Sequence, residues 1–125
     1  MNAGTFLLAM VGGGVGASIR FVLDGRIMRT VHTGYPWGTF TINVTGWLVL
    51  GFLTGLAHSS VLDTSWLFIL GEGALGGYTT FSTAMVDIVH MLQKRTNGGP
   101  VWNGIVVLVL AVAAAVIGLL IGRAF

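Results

Sequence analysis

The sequence predicts an all-α membrane protein: a single domain of four spanning helices, the third broken at its middle. Three observations carry this. Of 125 residues, 54% are hydrophobic and 8% charged, whereas a soluble domain averages about 25% charged residues. Four apolar stretches are long enough to cross a hydrocarbon core about 30 Å thick, which takes about 20 residues of helix. The third stretch is interrupted by the pair Gly76-Gly77, and five of the next six residues, 78–83, carry hydroxyls.

The first span covers about residues 4–22. No basic segment precedes it and its apolar character outlasts a signal core, so it is expected to stay in the membrane rather than be cleaved. The following "DGRIMRTVHTGYP" combines charge, glycine and proline and reads as a loop. The second span covers about 37–57. The polar "HSSVLDTS" comes next, with Asp63 or Thr64 placed to cap the third span. That span covers about 65–91 with its break at 76–80, and "QKRTNGGP" ends it with strong breakers. The fourth span covers about 101–121. Trp37, Trp66 and Trp102 stand where three of the spans begin, the interfacial depth that indoles favour.

Glycines recur four apart at Gly12 and Gly16, Gly51 and Gly55, and Gly118 and Gly122. In lipid this spacing lets helix backbones approach closely. Four such helices enclose little volume, so a solute path calls for a second copy or a partner.

Charge sets an orientation. Arg26, Arg29, Lys94 and Arg95 flank one face of the membrane, and Arg123 alone marks the other. The excess of positive residues places the first group in the cytoplasm and both termini outside. Six basic against four acidic residues are too few for a nucleic-acid patch. The absence of cysteine excludes disulfides and thiolate metal sites.

Three motifs are discounted. "GEGALG" at 71–76 matches a dinucleotide fingerprint but has neither the later acidic residue nor a soluble β-α-β unit. "NVT" at 43–45 matches a glycosylation acceptor inside a span. Ser82, Asp87 and His90 have a triad's composition, yet nothing places a base beside the serine, and Asp87 with His90 is too small a ligand set for a metal. No catalytic residue is expected, and the protein is not read as an enzyme.

Polar groups inside lipid are costly and ask for a reason. Asn43 brings an amide to the second span, with a helix-to-helix hydrogen bond as its simplest use. Thr39, Thr41 and Thr45 can bond back to their own helix. The broken third span is different: freed backbone survives at membrane depth only where protein or a water-filled cavity covers it. Such a break offers carbonyls to a cation or N–H groups to an anion. Asp87 lies one to two turns beyond. Arg20, late in the first span, is expected to snorkel. Glu72 lies roughly 10 Å into the third span and Arg20 roughly 24 Å into the first, too far apart in depth to pair within one chain. In an antiparallel partner the two depths coincide.

"GGGVGASIRF", "PWGTFTINVTG" and "GALGGYTTFST" resemble, in order and spacing, the Fluc (CrcB) family of fluoride channels, and the resemblance covers nearly the whole chain. It implies an antiparallel dimer in a bacterial cell membrane, with two anion pores at the subunit seam and passive fluoride export. It implies a structural sodium ion at the dimer centre on the backbone carbonyls of Gly76 and Thr79. It further implies that Asn43 lines the pore, that Phe81 presents its ring to fluoride, and that Ser82, Thr83 and Asp87 continue the path. Arg20 matches the arginine after the first-span glycines.

Three features depart from the family's pattern. Ala84 stands where a second phenylalanine is usual. The fourth span has no hydroxyl after Asn103. The charge bias favours one orientation. Together they suggest one half of a pair of related chains with opposite orientations. Two rival functions are a small multidrug-resistance-type proton-coupled transporter and a non-conducting scaffold subunit. The first needs a first-span carboxylate, where this chain has only Asp24 at the end, with Glu72 in the wrong span. The second leaves the hydroxylated break unexplained.

Overall fold

The computed structural model describes residues 2–31, 35–94 and 99–125, apart from the side chains at 82, 83, 94, 100 and 101. Of the charges that set the orientation, Arg95 and the Lys94 side chain therefore lie outside the described residues. All regular structure among the described residues is helical, in five helices.

Helix α1 is Ala3–Thr30. Asn2 caps it: Oδ1 accepts from the Thr5 N–H at 2.9 Å and from the Thr5 hydroxyl at 3.2 Å. At 1.5 Å per residue its 28 residues reach about 42 Å, more than a bilayer core. The expected loop from Asp24 is thus helical as far as Thr30. Its polar side chains suit that extension, since Arg29 Nε and the Thr30 hydroxyl bond back to the carbonyls of Gly25 and Arg26 at 3.1 and 2.9 Å. Helix α2 is Trp37–His58.

Helix α3 begins as Thr64–Leu67, capped by Asp63 Oδ2 accepting from the Ser65 N–H at 3.1 Å. It then widens into a π-helix over Phe68–Leu75 and closes on one α turn, Gly76–Tyr78. The π segment was not legible in the sequence. Residues 79–81 are not helical, and α4, Ser82–Lys94, follows. The break thus overlaps the expected interval only at Thr79 and Thr80. The glycine pair stays helical. Gly77 serves close packing instead: a Cβ there would overlap the Gly13 carbonyl oxygen of α1. Helix α5 is Pro100–Arg123, with proline at its first position and Gly99 before it at φ 72°.

Among the described residues, α1, α2 and α5 are each long and apolar enough to cross a membrane, and Ala84–Gln93 is a shorter apolar segment. The α3–break–α4 run, two half-helices either side of residues 79–81, is the candidate for a further crossing. The helices pack as two pairs, α1 on α3 and α2 on α5, with α4 laid against α5. Contact at α2–α5 is backbone on backbone, because a Cβ on Gly51 would overlap the Ala115 carbonyl. Dispersion between close surfaces is the main attraction available when lipid is as apolar as the helix. Outside these seams the large apolar side chains face outward, as with Phe21 at 78% exposure.

Candidate functional site

The two pairs of helices meet at the break. Asn43, on α2, is 8% exposed. Its Nδ2 donates to the Thr80 carbonyl at 2.8 Å, and its Oδ1 accepts from the Thr80 N–H at 2.9 Å. This cyclic pair bonds both backbone groups of a residue that no helix serves. It also fixes the amide's orientation, because a flipped amide would oppose donor to donor and acceptor to acceptor. Thr79 closes the preceding turn: its N–H and hydroxyl both donate to the Leu75 carbonyl, at 2.9 and 3.0 Å. The Phe81 carbonyl accepts from the Met85 N–H at 3.0 Å and starts α4. Tyr78 ties the break to α2 through its hydroxyl, 3.1 Å from Thr45 Oγ1. Thr45 also bonds back to the Thr41 carbonyl at 2.6 Å.

Asn43, Thr79, Thr80 and Phe81 line the head of a groove of about 450 Å³ that runs between α4 and α5 past Trp47, Leu108 and Ala111. Phe81 is 76% exposed, so its ring projects beyond the chain's own packing while still bordering the groove. A smaller cavity of about 60 Å³ adjoins it, sharing Ala84, Met85, Ile88, Gly104 and Val107. Asp87 lines this second cavity, and its Oδ2 is buried without a hydrogen-bond partner among the described residues. The Ser82 and Thr83 side chains lie outside the described residues, although their backbone forms the first turn of α4.

Arg20 makes a contact within the chain. Its Nε approaches the Gly77 carbonyl at 3.4 Å, so the guanidinium bridges α1 to the last turn before the break. The reason is register: Arg20 is one turn beyond Gly16, on the α1 stripe that packs against α3. Glu72 lies on an exposed part of the π segment. Gly76 is exposed and Thr79 half-buried, and their carbonyl oxygens are hard donors of the type a small cation prefers.

Some residues at this site were not singled out from sequence. Asp24 lies against the first turn of α2, where a Cβ on Gly38 would overlap its Oδ1. A carboxylate at a helix N-terminus is favoured by the helix dipole, and Asp24 also lies within electrostatic reach of Arg20 and Asp87. Tyr35 and Asn103 line the smaller cavity. One signal for Asn103 was available, since it is the only amide in the fourth span.

Residues 7–119 match the family model described as CrcB-like protein, Camphor Resistance. The match begins within α1 and ends within α5, so it takes in every helix between them. The chain belongs to the CrcB family. Family membership and helix lengths together make it a multi-pass membrane protein. Among CrcB relatives, it is 43% identical over 116 residues to a protein of Leifsonia xyli named fluoride-specific ion channel FluC 1, covering 93% of this chain and 85% of that one. It is 40% identical over 119 residues to fluoride-specific ion channel FluC of Caulobacter vibrioides, covering 94% of each. A further CrcB relative, fluoride-specific ion channel FluC 2 of Mycobacterium tuberculosis, is 38% identical over 109 residues, covering 87% of this chain and 83% of that one.

Proposed function

We propose that this chain is a subunit of a fluoride-specific channel in a bacterial cell membrane, working as an antiparallel dimer and releasing fluoride passively down its gradient. The observation that carries the reading is the Asn43–Thr80 pair at the head of the groove beside Phe81. Fluoride is small and holds water tightly, so a path must offer aimed donors in place of that water. The Thr80 peptide takes the amide's repulsive oxygen out of the path and uses one Nδ2 hydrogen. The other hydrogen is left for a solute in the groove. The positive edge of the Phe81 ring extends the same service. No covalent step is involved.

Phe81 projects from its own chain, which suits a ring that completes its pathway against a second subunit. The same partner would cover the exposed apolar faces and bring its own Arg20 to the depth of Glu72. Deleting each charge singly and then both tests that pairing: coupled losses support it, and additive losses dismiss it. The Gly76 and Thr79 carbonyls fit a structural sodium ion in donor type. Two carbonyls from one chain are too few ligands, so the site is shared with the partner.

The pair of related chains remains the favoured assembly. Ala84 borders both cavities and provides no ring there, and α5 has no hydroxyl after Asn103. A partner of opposite orientation supplies what these positions lack. Fluoride efflux from liposomes, with this chain alone and with a related four-span chain from the same cell, is the test. Efflux only with the partner supports the pair. Full efflux from the chain alone establishes a homodimer, and none in either case defeats the channel reading.

A further inference from the structure

Beyond the break, the smaller cavity holds an arrangement that the channel reading above does not use. Tyr35, just before α2, donates its hydroxyl proton to Asn103 Oδ1 on α5. The two residues are 68 positions apart. Asn103 Nδ2 points to Met91 Sδ at 3.9 Å, a weak acceptor. The opposite amide orientation would set Oδ1 against the thioether, acceptor facing acceptor, so the thioether selects this orientation and the tyrosine hydroxyl anchors it. One Nδ2 hydrogen then has no acceptor among the described residues. Tyr35 is itself held by Trp37, ring centroids 4.8 Å apart, and by Phe40 at 6.4 Å.

The cavity these groups border is about 60 Å³, enough for a water molecule or an ion of similar size. Its other polar wall is Asp87, whose Oδ2 is buried and has no hydrogen-bond partner among the described residues. It shares the Ala84, Met85, Ile88, Gly104 and Val107 wall with the groove that starts at Asn43. It is therefore the next polar stop after the break for a solute moving toward the Tyr35 end of the molecule.

We infer that Asn103 is a second anion-coordinating amide on the path, with Tyr35 as its positioning residue. This rests on the channel reading above. In both amides a fixed partner takes the oxygen, the Thr80 N–H for Asn43 and the Tyr35 hydroxyl for Asn103, and an Nδ2 hydrogen is left for the ion. Asp87 keeps the second stop weak. Conduction needs sites that bind well enough to admit an ion and poorly enough to release it. A carboxylate beside the Asn103 amide supplies the second condition.

The test is fluoride efflux from liposomes in whichever assembly conducts, comparing wild type, Asn103→Leu, Asn103→Ser and Tyr35→Phe, with chloride efflux measured in parallel. Asn103→Leu keeps the side chain's size and removes the donor, and it is expected to slow fluoride release about tenfold, the worth of one hydrogen bond to a charged ion. Asn103→Ser retains a donor and is expected to recover at least half of the rate. Tyr35→Phe keeps the ring stack and frees the amide to turn. It is expected to lower the fluoride-to-chloride ratio with the folded yield unchanged, which a merely structural role would not do. Fluoride release by Asn103→Leu within twofold of a conducting wild type overturns the inference and leaves the channel reading intact. A wild type that conducts in no assembly removes both. Should Asn103→Leu fail to fold, Tyr35→Phe decides: an unchanged ratio overturns the proposal.

Discussion

Asn43 and Thr80 hold each other through two hydrogen bonds, 2.8 and 2.9 Å long, between a side-chain amide on one helix and a peptide group in the break of another. This one contact closes the break and aims the amide. Structure and proposed function are therefore coupled at Asn43. Asn43→Ala is expected to lower stability by about 1–3 kcal/mol through the loss of buried hydrogen bonds. Thermal unfolding in detergent measures it. Asn43→Asp keeps the acceptor for the Thr80 N–H, loses the donors and adds negative charge. It is expected to abolish fluoride efflux, because a carboxylate repels the anion and faces the Thr80 carbonyl with no donor.

Phe81 offers the opposite separation. Its ring is 76% exposed, so the chain's own packing does not depend on it. Phe81→Leu is expected to leave unfolding unchanged and to slow fluoride efflux about tenfold, as an electropositive ring edge is lost. A fall in melting temperature without a change in flux would contradict this.

Asp87 is buried at Oδ2 without a partner among the described residues, and an unpaired buried carboxylate costs stability. Asp87→Asn is expected to raise the melting temperature or leave it unchanged. Fluoride flux should then half-saturate at a concentration about two- to fivefold lower, matching roughly 0.5–1 kcal/mol of screened repulsion removed from the path. Concentration-dependent efflux checks this.

Gly51 and Gly14 predict contrasting outcomes for the same substitution. Gly51→Ala places a methyl group on the Ala115 carbonyl and is expected to cost about 1–3 kcal/mol as α2 and α5 are forced apart. A Cβ at Gly14 meets nothing within 4 Å. Gly14→Ala is expected to keep the fold and to gain up to about 1 kcal/mol in helix propensity, unless a second subunit covers that face. Paired melting curves, with crosslinking to report the dimer, distinguish these cases.

Ala84 borders both cavities. Ala84→Phe puts a ring into the groove of about 450 Å³ and is expected to raise fluoride efflux in whichever assembly conducts at least threefold, close to 0.7 kcal/mol. No gain in any assembly would show that the missing ring is not what limits this subunit.

Membrane class, family and the neighbourhood of the break were legible in the linear chain. Apolar run length is a one-dimensional quantity set by bilayer thickness, and the Asp63 cap is a local signal of the same kind. The α1 end was harder to read, because charged residues leave lipid without leaving a helix. The Arg20 contact was hidden for a different reason. The approach of Arg20 Nε to the Gly77 carbonyl follows from the register of α1 on α3, which the linear chain does not show.

What the order of residues settled alone was where the chain can cross lipid, which segment could not remain one continuous helix, and to which family the pattern belongs. Which partner the Thr80 peptide takes, that Gly77 packs rather than unwinds, and that Tyr35 reaches Asn103 across 68 positions were decided only once the helices met. Hydrophobic length and capping depend on near neighbours. A hydrogen bond between distant segments depends on register and crossing geometry, which are properties of the packed pair of helices and of neither helix by itself.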